Sequence, residues 1–276
     1  MTVNEQCPNV TEPMPTLFVP HGAGPCFFME WNPADAWTPM ANFLEHIAER
    51  LPRRPAAIVL ISGHWLEETV RVTAAARPGL IYDYSGFPAH TYELTYPASG
   101  DPLLAARIVD LLGRSGIAAA QDPARGYDHG VFIPLKLMFP GADVPVVQLS
   151  LRSDLDAQAH LDIGHALAPL RDEGVLIVGS GMSFHNMRGY GDARFAPISD
   201  EFDRWLEEAV SARPAERELA LRHWAQAPCA RLCHPPGAEE HLLPLLVAAG
   251  AGASSTGQKI FTDNVMQTTL SAFQFG

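Results

Sequence analysis

Eleven histidines are spread through the 276-residue chain, and five of them, His21, His64, His129, His185 and His241, either adjoin glycine or stand at the edge of a patterned segment. Neutral imidazole is the commonest metal ligand, a catalytic metal takes about three protein ligands with positions left open, and a histidine pKa near neutrality suits proton transfer. Any one of the five alone reads as a satisfied structural histidine. Converging on one cleft, several of them can provide three ligands plus one or two acid/base groups. Glu240 beside His241 adds a carboxylate that either binds metal or holds an imidazole in place. His46, His160, His165 and His223 lie in helical stretches without special neighbours and read as ordinary, whereas His90 sits in a tyrosine-rich loop where it can meet a substrate. His234, followed by Pro235, is a further imidazole close in sequence to His241. Cys229 and Cys233 beside His234 are a single pair, whereas a structural zinc site wants four closed ligands, so they read as ordinary thiols.

Three short apolar runs must position these groups. Residues 16–19 lead into His21, residues 56–61 into His64, and residues 175–179 into Ser180 and His185. Runs this short and rich in Val, Ile and Leu predict parallel strands covered on both faces, and open α/β sheets bind ligands beyond the carboxyl ends of such strands. Further strands are expected at 70–75, 144–151, 258–263 and 266–275. Helices are expected from after Pro33 to about residue 50 and at 103–115, 131–139, 156–171, 200–212, 215–225 and 239–247. Residues 77–100 form an aperiodic loop holding Tyr82, Tyr84, Phe87, Tyr92 and Tyr96, and long loops of this kind are more often functional than idle. The expectation is one α/β domain, residues 1–276, with a central, mostly parallel sheet flanked by helices on both faces. Residues 1–14 are expected to be a flexible N-terminal segment.

Composition narrows the function classes. A hydrophobic fraction of 47% with 18% charged residues is ordinary globular composition, and a net charge of −12 argues against nucleic acid or an anionic membrane as partner. No run approaches the ~20 apolar residues of a membrane helix, and the N-terminus lacks a secretory signal. Four cysteines without a close-set pattern fit a reducing cytoplasm. A dinucleotide site is set aside, because Gly22 Ala23 Gly24 runs into Pro25 and an aromatic segment instead of a phosphate-binding helix.

The motifs Pro20 His21 Gly22 Ala23 Gly24 Pro25, Ser62 Gly63 His64 Trp65, Gly86 Phe87 Pro88 with Tyr92, Tyr96 and Pro97, Asp128 His129 Gly130, Gly179 Ser180 Gly181 with His185 Asn186, and Glu240 His241 Leu242 Leu243 Pro244 Leu245 stand in this order along almost the whole chain. In them the sequence resembles the class III extradiol ring-cleavage dioxygenases, in the 4,5-DOPA dioxygenase branch related to the catalytic subunit of protocatechuate 4,5-dioxygenase. The resemblance implies His21, His64 and His241 as metal ligands, with His185 as acid/base, or as an additional ligand in members holding zinc. It implies His129 as a second substrate-facing acid/base. Iron(II) is the implied metal, with zinc as the alternative. The implied substrates are dioxygen and a catecholic diol, DOPA- or caffeate-like, against an aromatic wall of Tyr92, Phe87 and Trp65. Two positions depart from the family pattern. The protocatechuate relatives use a glutamate as third ligand, which makes Glu240 a rival of His241, and the usual His-Gly-Ser-Pro is here His-Gly-Ala-Gly-Pro. A zinc-dependent hydrolase on the same histidines is the competing function, and a closed, non-catalytic metal site is the third. The sequence leaves a homo-oligomer open.

Overall fold

The computed structural model describes residues 12–276. The strands are β1 (Thr16–Pro20), β2 (Ala57–Glu67), β3 (Val70–Thr73), β4 (Ala119–Asp122), β5 (Val146–Arg152), β6 (Val175–Gly181), β7 (Gly257–Val265) and β8 (Thr268–Phe275). They form one eight-stranded sheet in the order β4-β3-β5-β2-β6-β1-β8-β7. The central strands β5, β2, β6 and β1 run parallel, and β8 and β7 close one side as an antiparallel hairpin. Every residue of β1 and β6 is buried, as expected for strands covered on both faces.

The helices are α1 (Thr38–His46), α2 (Pro102–Arg114), α3 (His129–Met138), α4 (Ala157–Leu167), α5 (Ala196–Ser211), α6 (Pro214–Arg222), α7 (Ala230–Cys233) and α8 (Leu243–Ala251). α1 packs on α3, and α3 on β2; α8 packs on β6 and β1 and is covered by α4; α5 packs on the β7–β8 hairpin. α2 begins at Asp101, whose carboxylate accepts from the backbone N–H groups of Leu103 and Leu104. α4 begins in the same way at Asp156, which accepts from Ala159.

The structure departs from the sequence expectations in places with physical reasons. β2 does not stop at His64 but continues to Glu67. Its pairing with β5 jumps from Ile61↔Leu149 to Leu66↔Leu151, so residues 62–65 stand opposite Ser150 alone. That bulge re-aims the side chains around His64 toward the open end of the sheet. β4, whose sequence Ala-Ala-Gln-Asp has no strand-forming residue, is held at the edge by parallel pairing to β3. α8 starts at Leu243, not at Glu239, because the His241 carbonyl is already committed to the backbone N–H of Met182 at the end of β6. Most of the segment expected to be flexible lies outside the described residues. Met14, at its end, is fully buried and bonded to Arg171 through both its backbone N–H and its carbonyl.

Candidate metal centre and substrate cavity

β6 lies between β1 and β2, with Pro20 opposite Gly181 and Ser62 opposite Ser180. Three neighbouring parallel strands therefore end at one level, and His21 and His64 emerge there side by side. His241 arrives from the segment before α8, which can approach β6 only because position 181 is glycine. A Cβ at Gly181 would lie 2.1 Å from the His241 carbonyl oxygen.

The Nε2 atom of His64 lies 3.1 Å from Nε2 of His21 and 3.1 Å from Nε2 of His241. The opposite ring nitrogens all face acceptors. His21 Nδ1 is 3.0 Å from Ser180 Oγ, which itself donates to the Gly130 carbonyl. His241 Nδ1 is 2.9 Å from Glu240 Oε1, and His64 Nδ1 is 3.6 Å from Asp83 Oδ2. With the proton on Nδ1, each ring turns an unprotonated Nε2 toward its neighbours. Three such lone pairs this close repel one another unless a cation lies between them, and nitrogens 3.1 Å apart can share an ion at the usual ~2.0–2.1 Å bond length. Burial, followed by the charges of the neighbouring histidines, holds the pKa values of His21 and His241 well below the ordinary value. Burial, then the charge of His129, lowers His64 to about 3. The three imidazoles are thus kept in the neutral form that binds metal. The donor set fits a non-haem metal ion.

Two further imidazoles flank this triad. His129, the first residue of α3, has a ring nitrogen within 4.8 Å of those of His21 and His64. Its backbone N–H and Nδ1–H both donate to Asp83 Oδ1, at 2.9 and 2.8 Å. Burial pushes the Asp83 carboxyl up, but the hydrogen bonds and charge of His129, with the charge of His64, outweigh it and hold Asp83 below the usual range, hence ionised. The preceding Asp128 is fully buried, where it accepts from Ser62 Oγ at 2.7 Å, from Gln148 Nε2 and from Arg125 at 3.3 Å. Gly130 makes room for this, since a Cβ there would lie 2.3 Å from Ser62 Oγ. His185 stacks on His241 with ring centroids 3.5 Å apart, its Nδ1 is 3.5 Å from Glu240 Oε1, and burial lowers its pKa to about 4. Glu240 therefore stands behind His241, on the side away from the Nε2 cluster, as an orienting carboxylate, with His185 beside it.

All five imidazoles line a cavity of about 330 Å³, together with Gly22, Ala23, Gly24, Trp31, Trp37, Phe87, Met182, Met187, Tyr190 and Met266. Of the expected aromatic wall, only Phe87 is there. Trp65 is buried elsewhere, its Nε1 donating to Glu67 and its ring under Arg125. Tyr92 packs against Tyr82 and Tyr84 outside the cavity lining. His90 donates from Nε2 to the Phe28 carbonyl, 3.1 Å away, on the surface. His234 also stands apart. Its Nε2 binds the Ser183 carbonyl at 2.9 Å, and its ring lies edge-on to Phe202 and Trp224. Cys26, Cys229 and Cys233 are free thiols. Sequence reasoning missed Asp83, which lies between two tyrosines with no spacing signal, and the cavity residues Trp31, Trp37, Met187 and Met266.

Comparison with known proteins agrees with this geometry. The model of the family described as the catalytic LigB subunit of aromatic ring-opening dioxygenase matches residues 15–275, and the chain belongs to that family. It is an extradiol ring-opening dioxygenase, which decides against the hydrolase that the same histidines would also suit. Similar proteins include the 4,5-DOPA dioxygenase extradiol of Beta vulgaris, 41% identical over 87% of this chain and 88% of that protein. The protein of the same name from Escherichia coli K12 is 36% identical over 86% and 85%. Dioxygenase tasH of Hapsidospora irregularis is 36% identical over 95% and 85%. The crystal structure of an uncharacterized Escherichia coli K12 protein superimposes with a TM-score of 0.76 at 30% identity, covering 95% of this chain and 100% of that one. No helix among the described residues is long and apolar enough to cross a membrane.

Proposed function

We propose that the chain opens the ring of a catechol beside its diol, with dioxygen as co-substrate and a non-haem iron(II) held by His21, His64 and His241. The observation that carries the ligand set is the meeting of three Nε2 atoms whose Nδ1 partners each face an acceptor. Bound there, iron(II) supplies the centre at which both catechol oxygens and dioxygen are brought together and electrons pass between them.

His129 is the better-equipped base. Its Nδ1–H is held by ionised Asp83, so the cavity-facing nitrogen is free to take a proton from a catechol hydroxyl, and the carboxylate stabilises the imidazolium that results. His185, neutral at pH 7 and lacking a hydrogen bond at Nδ1, takes or returns the second proton on the other side of the metal ligands. Apolar walls take the ring, and Phe87 supplies the aromatic face. All of these residues come from one chain, and residues 12–276 act as one catalytic unit. Free thiols and an iron(II) site suit a reducing cytoplasm.

Oxygen uptake by anaerobically iron(II)-loaded protein, measured on a panel of catechols with a zinc-loaded control, tests the proposal. Uptake with iron alone and a yellow ring-fission product is the expected result. Stoichiometric iron with no uptake on any catechol overturns it.

A further inference from the structure

Away from the imidazoles, the cavity is built from Trp31, Trp37, Phe87, Met182, Met187 and Met266, and its lining contains no lysine or arginine. The nearby cations do not line it, and Arg188, next to Met187, is exposed outside the lining. Arg125 binds Asp128 and covers the Trp65 ring, and Lys136 donates to the Thr95 carbonyl. Residues 1–11 contain no lysine or arginine either. The Tyr190 hydroxyl already donates to the Phe184 carbonyl. Among the lining side chains other than histidine, the buried polar atom without a partner is the Trp37 indole nitrogen, an uncharged donor.

A carboxylate moved from water into such a wall loses its hydration with no cation in the lining and only the uncharged Trp37 N–H outside the imidazoles to replace it, which disfavours the charged form. Apolar substituents gain from the same transfer, and unbranched methionine side chains adapt to their outline. A cavity of about 330 Å³ stands at the small end of ligand sites, enough for a ring with a compact substituent.

We infer that the substrate of this site is an uncharged catechol bearing a compact apolar group, aryl or branched alkyl, in place of the charged amino-acid side chain in the relatives' names. The inference rests on the ring-opening reading above, and it concerns only the part of the substrate that the metal does not hold. The imidazoles take the diol. The two tryptophans, Phe87 and the three methionines take the substituent, with the Trp37 N–H able to meet a neutral oxygen on it.

Two measurements test the inference separately from the reaction. Calorimetric titration of anaerobic, iron(II)-loaded protein, where no turnover occurs, compares 4-phenylphenol and 4-tert-butylphenol with 4-hydroxybenzoate. Oxygen uptake then compares 4-phenylcatechol and 4-tert-butylcatechol with protocatechuate and caffeate. The neutral compounds should bind, and be turned over in kcat/KM, at least tenfold better. Met187→Arg, at a position 69% exposed where an arginine is tolerated, should narrow the binding gap at least fivefold in favour of 4-hydroxybenzoate. Equal or tighter binding of 4-hydroxybenzoate by the parent protein, or failure of every phenol to bind, overturns the inference. Carboxylated catechols turned over as well as neutral ones overturn it while leaving the ring-opening reading intact. A binding preference for neutral phenols without turnover of any catechol upholds the cavity's preference and sinks the iron-dependent reading.

Discussion

Asp83 links His64, proposed above as a metal ligand, to His129, proposed as a proton-transfer group, so replacing it with asparagine should damage one function or the other. One carboxylate oxygen accepts two N–H bonds from His129, at 2.8 and 2.9 Å, and the other faces His64 Nδ1 at 3.6 Å. The amide has the same shape but only one acceptor. If its oxygen stays with His129, its NH2 opposes the His64 Nδ1–H, and His64 is driven to the tautomer that carries its proton on Nε2, facing His21 and His241. If the amide flips, His129 loses its acceptor and exchanges tautomer instead. The first orientation gives up the 3.6 Å charge contact with His64 and sets one N–H against another, and the second gives up charge-assisted hydrogen bonds to His129; either costs about 1.5–3 kcal/mol, or about 10- to 150-fold. Asp83→Asn is therefore expected to lower metal affinity or kcat/KM by one to two orders of magnitude, with the fold retained. Metal content after dialysis against a graded chelator separates the first effect from oxygen-uptake kinetics, which reads the second. Retention of both within about twofold would refute the idea that Asp83 sets these tautomers, since a lost charge-assisted bond cannot cost so little.

The other predictions concern the triad, its approach and its acid stability. His64→Ala should lose metal and turnover together, whereas His185→Ala should keep most of the metal, by elemental assay, and lose the rate. Gly181→Ala forces a Cβ against the His241 carbonyl, 2.1 Å away, so it should cost about 1–3 kcal/mol of stability and weaken metal retention; thermal melting checks the first and the elemental assay the second. His234 is fully buried and burial lowers its pKa to about 3, so it resists protonation in the folded state. The unfolded chain, with an ordinary histidine pKa of about 6.5, takes up that proton first, so stability falls as the pH drops from about 6.5 toward about 3. At pH 5 the loss from this residue is about 2 kcal/mol, from roughly 1.5 pH steps of 1.36 kcal/mol each. Denaturant midpoints at pH 7.5 and pH 5 should differ by correspondingly less in His234→Phe; an unchanged difference would exclude His234 as a source.

How much of this site was legible in the chain depends on whether each signal was local. The strands ending near His21, His64 and His185 were legible because burial on both faces leaves an uninterrupted apolar run, which no sheet partner needs to be known to read. The placement of β6 between β1 and β2 was not, because sheet order is decided by long-range pairing, and that order is what brings the first two histidines level. Trp65 illustrates a local rule left unused. Neighbouring side chains in extended backbone point to opposite faces, so a His64 aimed at the cavity requires Trp65 to point away, as it does. Asp83 and Glu240 are carboxylates of equal promise in composition, and only the contact with His129, forty-six positions away, gives the first its role. The same holds for the cavity wall. The 19 lysines and arginines of the chain give no hint that none of them lines the cavity. That absence is a property of the folded surface, set by Met266 returning in the turn between β7 and β8 and by Trp31 and Trp37 folding back over the glycines after His21. The metal chemistry is therefore written in residue types that a sequence displays, whereas the choice of substituent is written in which residues the fold keeps away.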